Sequence, residues 1–313
     1  MTIEPLPTHP VFQDVEIGIG TWAWGDRLFW GYGRGYVDSD LQEAYQTCIG
    51  AGVVFFDTAE VYGQGKSEIL LGDFSSKSEA KIRIASKFYP ILWRLNRGSF
   101  VRALRGSLKR LRRSKIELYQ MHWPWLPVKI ESWMEAMAEA HQNGLIEAVG
   151  VSNYNREQMQ RAYDTLSRYG IRLASNQVEY HLLDKAIEKN GLLEHCQSLG
   201  VKCIAYSPIA KGVLSGKYTP ENPLRGFRES RYPRRLLEKI QPLIKEMRNI
   251  GMDHGGRTPA QVAINWTICK GTLPIPGIKN ARQAQDNLEA VGWRLTEAEV
   301  ALLDDLSTRV QSS

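Results

Sequence analysis

Cysteine is scarce in this 313-residue chain, which has only Cys48, Cys196, Cys203 and Cys269. These four lack paired metal-ligand spacing, so a zinc ribbon is excluded, and a disulfide-stapled secreted scaffold is disfavoured; buried free thiols and no metal are expected. Long apolar runs are missing as well. The longest, Ala51 to Phe56, falls far short of the ~20 residues of a spanning helix, so no membrane partner is expected. The opening MTIEPLPTHP offers an acid and three prolines where a signal peptide places basic and apolar residues, which points to a cytoplasmic protein. A G-x-S-x-G elbow, an H-E-x-x-H pair and a Walker A loop are all absent, which removes the signatures of common hydrolases, zinc proteases and P-loop enzymes.

Acid is absent from one stretch. From Lys81 to Lys115 the chain carries twelve Lys and Arg and no Asp or Glu, within a net charge of +6. Nucleic acid and an anionic small molecule are both conceivable partners for such a run. However, Arg102, Arg105, Lys109 and Arg112 alternate at helical spacing with the apolar Phe100, Ala103, Leu104, Leu108 and Leu111. A solvated helix face accounts for these charges, no stacking platform accompanies them, and no nucleic-acid partner is expected.

What the chain does have is an ordinary globular composition, 43% hydrophobic and 24% charged. Short apolar runs bounded by Gly, Pro or polar residues recur at Ile17–Thr21, Val53–Asp57, Ile82–Lys87, Ile116–His122, Ile146–Val151, Ala174–Val178, Val201–Tyr206 and Thr272–Pro276. The first seven begin 27 to 36 residues apart, the length of one βα unit. Helices are predicted between them: one capped by Ser99, one following Asp38, Glu131–Gln142 stopped by Asn143-Gly144, Asn155–Arg168, and a last one, Thr296–Leu306, with Glu299 three residues past its cap. Alternating strands and helices imply a parallel sheet. Their count favours an α/β fold closed into a (β/α)8 TIM barrel, one domain over residues 1–313, with an open doubly wound sheet as the alternative. The seventh and eighth runs start 71 residues apart. That interval holds the Gly/Pro-rich Lys211–Pro233 and helices near Arg234–Ile250 and Thr258–Cys269, an insertion suited to a loop over a ligand.

In a parallel barrel, functional groups gather at the C-terminal strand ends. Those ends read Asp57, Lys87, His122, Ser152-Asn153, Gln177 and Tyr206-Ser207, with Tyr62 in the loop after Asp57. Asp57, Tyr62, Lys87 and His122, facing one centre, suit carbonyl reduction. The Lys87 ammonium is expected to draw the Tyr62 phenol below its usual pKa of about 10 so that it serves as proton donor. Asp57 would compensate the buried cation, and His122 would orient the carbonyl oxygen. No side chain supplies a hydride, so a nicotinamide cofactor is implied. Gly18-x-Gly20-x-x-Ala23 mimics a dinucleotide fingerprint, yet the aromatic loop Leu28–Tyr36 follows where a phosphate-binding helix belongs. No acidic residue closes a second strand in the ~20-residue frame, and the Rossmann reading is rejected.

Together these residues resemble the aldo-keto reductase superfamily over roughly Val15 to Ala290. The resemblance rests on F-D-T-A-E-V-Y-G at 56–63, S-K at 86–87, L-Y-Q-M-H-W-P at 118–124, G-V-S-N at 150–153, N-Q-V-E-Y at 176–180, A-Y-S-P-I-A-K-G-V-L-S-G-K-Y at 205–218 and I-P-G-I-K-N-A-R-Q-A-Q-D-N at 275–287. It implies a barrel that binds NADPH/NADP in an extended conformation and reduces small-molecule aldehydes or ketones. By motif position Asp57, Tyr62, Lys87 and His122 are its catalytic residues, with Tyr62 the proton donor. Thr21, Trp22 and Asp57 would border the cofactor, Ser152, Asn153 and Gln177 would hold the carboxamide, and Tyr206 would stack on the nicotinamide. Ser207, Pro208, Ile209, Ala210, Lys211, Leu214 and Lys217 would wrap the pyrophosphate with help from Arg228. Gly277, Lys279, Gln283, Asp286 and Asn287 match the adenosine site; Lys279 facing the 2′-phosphate favours NADPH over NADH. Trp24, Trp30, Tyr89 and Trp123 are expected to wall the substrate pocket. The opening G-T-W-A-W-G-x-x-x-x-W-G-Y is similar to the pyridoxal reductase branch, which implies pyridoxal or another aromatic aldehyde as substrate. The β subunits of voltage-gated potassium channels share the barrel and sense NADP, so the alternative is a regulatory binding subunit, against which the complete tetrad stands.

Overall fold

The computed structural model describes residues 6–91, 93–125 and 127–312; part of the N-terminal stretch read above for a targeting signal, residues 1–5, lies outside them. Each of the eight apolar runs coincides with a strand: β1 (Ile19–Gly20), β2 (Phe55–Asp57), β3 (Arg83–Phe88), β4 (Ile116–Met121), β5 (Ile146–Ser152), β6 (Leu173–Glu179), β7 (Lys202–Tyr206) and β8 (Leu273–Ile275). The strands pair in parallel in chain order. The ring is closed by backbone, because Gly18 N donates to Pro274 O and Gly20 N to Pro276 O, each at 3.0 Å, and Gly20 bridges Gly277. Here lies the purpose of the G-x-G that mimics a nucleotide fingerprint. A Cβ on Gly20 would sit 2.8 Å from Ile275 O, and one on Gly18 would sit 3.0 Å from Ile275 Cγ2 and 2.7 Å from Phe55 Cδ1 of β2, so the chain needs glycine at both positions to lie against β8.

Helices cover the outside: α1 (Asp38–Gly50), α2 (Lys66–Ser75), α3 (Arg97–Leu111), α4 (Ile130–Gln142), α5 (Arg156–Ser167), α6 (Ala186–Lys189) and α7 (Leu192–Ser198). The insertion after β7 contributes α8 (Phe227–Arg231), α9 (Arg234–Asp253) and α10 (Pro259–Cys269), and the chain continues with α11 (Ala281–Leu288) and α12 (Glu297–Ser312). The cap of α3 is Asn96 instead of the expected Ser99. Asn96 holds the extended φ of −152° that a cap requires, and its side chain accepts the Ser99 N–H at 3.0 Å. Acids from other elements neutralise much of the basic run: Arg94 pairs with Glu60, Arg97 with Glu135 and Glu139, Arg110 with Glu68, Arg112 with Asp73, and Lys115 with Glu147. The four cysteines are free thiols.

Side chains on a strand alternate faces, so inward positions recur every second residue. The lower inward layer is apolar, with Phe55, Ala85, Leu118, Ala148, Ile204 and Leu273 sealed from below by Val11 and Phe12. Two residues further along the same strands stand Asp57, Lys87, Gln120, Gly150 and Tyr206. The barrel therefore changes from an apolar plug to a polar floor within one step of the pleat. The larger core lies between the strands and the helical ring.

Candidate active site

Asp57 and Lys87 are buried at the ends of β2 and β3, 1% and 0% exposed. Lys87 Nζ donates to Asp57 Oδ1 at 2.5 Å, to Thr58 O at 2.8 Å and to the Tyr62 hydroxyl at 3.3 Å, so each of its three protons has a partner. Asp57 Oδ2 accepts from Gln177 Nε2 at 2.7 Å and from Gln120 Nε2 at 3.2 Å. Tyr62 opens a tight turn after the β2 loop and reaches this ammonium from above. Burial, then the Asp57 carboxylate, push the Tyr62 phenol well above its ordinary value. This corrects the expectation of a phenol acidified by Lys87: Asp57 already neutralises the ammonium, which leaves desolvation to decide. Burial also draws Lys87 down, against the pull of Asp57.

His122 follows β4 and stands edge-on to both Tyr62, with ring centroids 5.9 Å apart, and Tyr89, 5.3 Å apart. Burial, then Lys87, hold its pKa well below 6.5, so the imidazole is neutral. Its buried Nδ1 has no hydrogen-bond partner. Beside it Asn153, in the left-handed region at φ 61°, donates to His122 O at 3.1 Å and to Ser152 Oγ at 3.0 Å. Its Oδ1 accepts the Tyr206 hydroxyl at 3.0 Å, and Ser152 Oγ donates to Gln177 O at 2.9 Å. Ser152, Asn153, Gln177 and Tyr206 thus form one polar wall tied through Gln177 to Asp57.

A cavity of about 970 Å³ runs from this floor to the far rim. Of the residues named from sequence, Trp22, Tyr89 and Trp123 line it near His122 and Tyr62, Trp30 lines it between Trp22 and Lys279, Ser207, Pro208, Ile209, Lys211, Lys217 and Arg228 line it along the insertion, and Gly277, Lys279, Gln283, Asp286 and Asn287 line it around the loop after β8 and α11. Trp24 does not. It is fully buried, packs 5.7 Å from Phe74 and donates its indole N–H to Ile278 O, because two residues past the wall-facing Trp22 the chain has turned inward. Thr21, Ala210 and Leu214 are likewise completely buried and support the wall from behind; Thr21 Oγ1 donates to Asp57 O at 2.9 Å. The sequence reading missed Phe29, Val61, Thr258 and Arg282, which also line the cavity. Phe29 lies in the aromatic Leu28–Tyr36 loop, and Arg282 neighbours the I-P-G-I-K motif. Gln120 is a further residue outside that reading, and its signal is a glutamine within an apolar strand two residues before His122.

Cations dominate the far end. Burial, then Arg228 and Lys217, bring the Lys279 amine down to about 8. Lys279 Nζ donates to Trp30 O at 3.0 Å and lies 4.7 Å from the Trp30 ring, and Arg228 lies 5.7 Å from the same ring. Three mutually repelling cations around a pocket are the donor set of an anion site. The groups of an extended phosphorylated dinucleotide therefore fit: cations toward one end, a glycine at 277 whose side of the channel carries no side chain, and the unpartnered His122 Nδ1 beside the Asp57–Lys87–Tyr62 cluster at the other.

Eight parallel strands carrying these groups at their C-terminal ends define a barrel enzyme site. The model of the aldo/keto reductase family matches residues 16–308, and the chain belongs to that family. It is 39% identical over 313 residues to a chloroplastic pyridoxal reductase of Arabidopsis thaliana, with 96% of this chain and 83% of the relative covered. Among solved structures, a thermostable aldo-keto reductase in complex with the inhibitor epalrestat is 30% identical, with a TM-score of 0.73 and coverage of 93% of this chain and 94% of the other. An aldo/keto reductase from Klebsiella pneumoniae in complex with NADP and acetate is 28% identical, with a TM-score of 0.74 and coverage of 93% and 91%. No helix among the described residues is long and apolar enough to cross a membrane.

Proposed function

We propose that this chain is an NADPH-dependent oxidoreductase that reduces aldehyde carbonyls to alcohols, aromatic aldehydes such as pyridoxal among them. The observation that carries the reading is the Asp57–Lys87–Tyr62 line under an aromatic-walled cavity. Ser152, Asn153, Gln177 and Tyr206 at one end and Lys217, Arg228 and Lys279 at the other would hold NADPH, which when bound would provide the hydride. The chain's own residues manage the proton. A phenol pushed above its usual value keeps its proton until a stronger base appears, and an alkoxide developing at the carbonyl oxygen is such a base. Tyr62 Oη then gives its proton to that oxygen, and the phenolate left behind is held by the Lys87 ammonium 3.3 Å away. Neutral His122 offers an imidazole N–H to the same oxygen. Asp57 keeps Lys87 in place throughout. Proton transfer from a positioned group of this kind is worth about 10²–10⁴-fold. The Klebsiella structure with NADP supports the cofactor, and the Arabidopsis pyridoxal reductase, together with the walls of Trp22, Tyr89 and Trp123, supports an aromatic substrate. The test follows absorbance at the reduced-nicotinamide band on adding pyridoxal or benzaldehyde. Tyr62→Phe should abolish the decay while NADPH still binds; turnover at the wild-type rate would remove Tyr62 from its role.

A further inference from the structure

Glu179 ends β6 two residues past Gln177, yet it takes no part in the cluster around Asp57. Its Oε1 accepts from Lys211 Nζ at 3.0 Å and lies 3.4 Å from His181 Nε2, while its Oε2 meets Arg231 Nη2 at 2.8 Å. His181 Nδ1 accepts the Leu183 N–H at 3.1 Å, so in the neutral ring the proton sits on Nε2, on the Glu179 side. Burial alone would raise this carboxyl, but His181 and Lys211 outweigh it and hold Glu179 at about 2, charged across the working range.

The two cations root a single strap. Lys211 lies in the turn after β7, where Ser207, Ala210 and Lys211 all take positive φ, 55°, 48° and 55°. Such backbone persists only where surrounding contacts over-determine it. Arg231 ends α8 at the strap's other root, and between them Arg228 Nη1 bonds Lys211 O at 3.3 Å and the Tyr218 hydroxyl at 3.1 Å. Ser207, Pro208, Lys211, Lys217 and Arg228 of this strap all line the cavity. One carboxylate on a rigid barrel strand therefore fastens both ends of the segment that covers the nucleotide channel.

We propose that Glu179 is a positioning residue that latches the 207–231 strap closed through Lys211 and Arg231 and so sets how fast the nucleotide leaves; this rests on the NADPH reading above. Losing a charge-assisted contact of this kind corresponds to about a tenfold change in rate. The experiment measures NADPH release by stopped-flow tryptophan fluorescence for the intact chain, Glu179→Gln and Arg231→Met. Both variants should release NADPH about tenfold faster while the single-turnover rate at saturating NADPH stays at the wild-type value. Without nucleotide, trypsin should cut their Arg225–Arg235 stretch faster. Arg231→Met carries the test if Glu179→Gln fails to fold, since it removes one arm and leaves the half-buried carboxylate with Lys211. Release within twofold of wild type in the variants overturns the latch alone. A wild-type chain that binds no NADPH overturns the nucleotide reading, and the latch then stands or falls on the cutting rate.

Discussion

The Tyr89 amide donates to Glu60 Oε1 at 2.7 Å. Arg94 pairs with the same carboxylate oxygen and also donates to Tyr89 O at 3.2 Å. Glu60 belongs to the loop that delivers Tyr62, so the loop after β2 and the loop after β3 are joined at one atom. Tyr89 in turn stands edge-on to His122 and to Trp125, with centroids 5.3 and 5.0 Å apart. The aromatic wall and the proton-donating turn are set by a common support.

Arg94→Ala should loosen that wall without touching the proton path. The KM for benzaldehyde is expected to rise roughly three- to tenfold, with NADPH affinity and kcat nearly unchanged. Steady-state kinetics with each substrate varied in turn separates the two constants. A change confined to kcat would show that Glu60 supports Tyr62 instead.

Lys279 gives a pH signature. Its amine is drawn down to about 8, so the cation is complete in mild acid and fades as pH climbs through that value. NADPH affinity should therefore weaken between about pH 7 and 9, while NADH, lacking the 2′-phosphate, stays flat. Lys279→Met should abolish the difference in slope and cut the preference for NADPH by about tenfold. Titrations of both nucleotides followed by tryptophan quenching decide it; parallel curves for the two in the unaltered chain would remove Lys279 from phosphate recognition.

Asp57→Asn leaves the buried Lys87 ammonium without its counter-charge. A loss of roughly 3–5 kcal/mol in urea denaturation is expected. The double change Asp57→Asn with Lys87→Met should recover part of it, because the orphaned cation is gone. Lys87→Met alone should reduce turnover by about 10²–10⁴-fold through the stranded phenolate. Additive stability losses in the double variant would show that the pair acts independently.

Gly150→Ala probes the polar floor. The added methyl would clash with Ser175 Oγ and meet Gln120 Cγ at 2.8 Å, so Gln120 must leave its place against Asp57. A stability loss of roughly 1–3 kcal/mol is expected, with turnover falling too. Unchanged thermal midpoint and kcat would mean that the floor yields at no cost.

Much of this architecture was legible in the residues themselves. Strands announce themselves by short apolar runs, and the spacing of one βα unit needs no knowledge of tertiary contacts. Asp57, Lys87 and His122 stood out because ionisable groups ended apolar strands, and the structure gathers them with Tyr62 in one cluster. Three-dimensional facts were harder to read. Trp22 and Trp24 look alike on paper, and only the turn after Thr21 sends one to the cavity and the other to the core. The direction of the Tyr62 shift depends on how completely Asp57 neutralises Lys87, which pattern alone does not give. The contacts of Glu60 and Glu179 join segments 34 and 32 residues away, to Arg94 and Lys211, across loops whose paths the sequence leaves open.

The seam at Gly18 and Gly20 has a consequence for biogenesis. Its acceptors are the carbonyls of Pro274 and Pro276, more than 250 residues downstream, so a nascent chain emerging from the ribosome waits for nearly all of its length before the ring is complete. Until then the first strand presents bare amides and carbonyls, an open margin of the kind other chains adhere to. The pairing of the first strand with the last thus sets how long that margin stays open during synthesis.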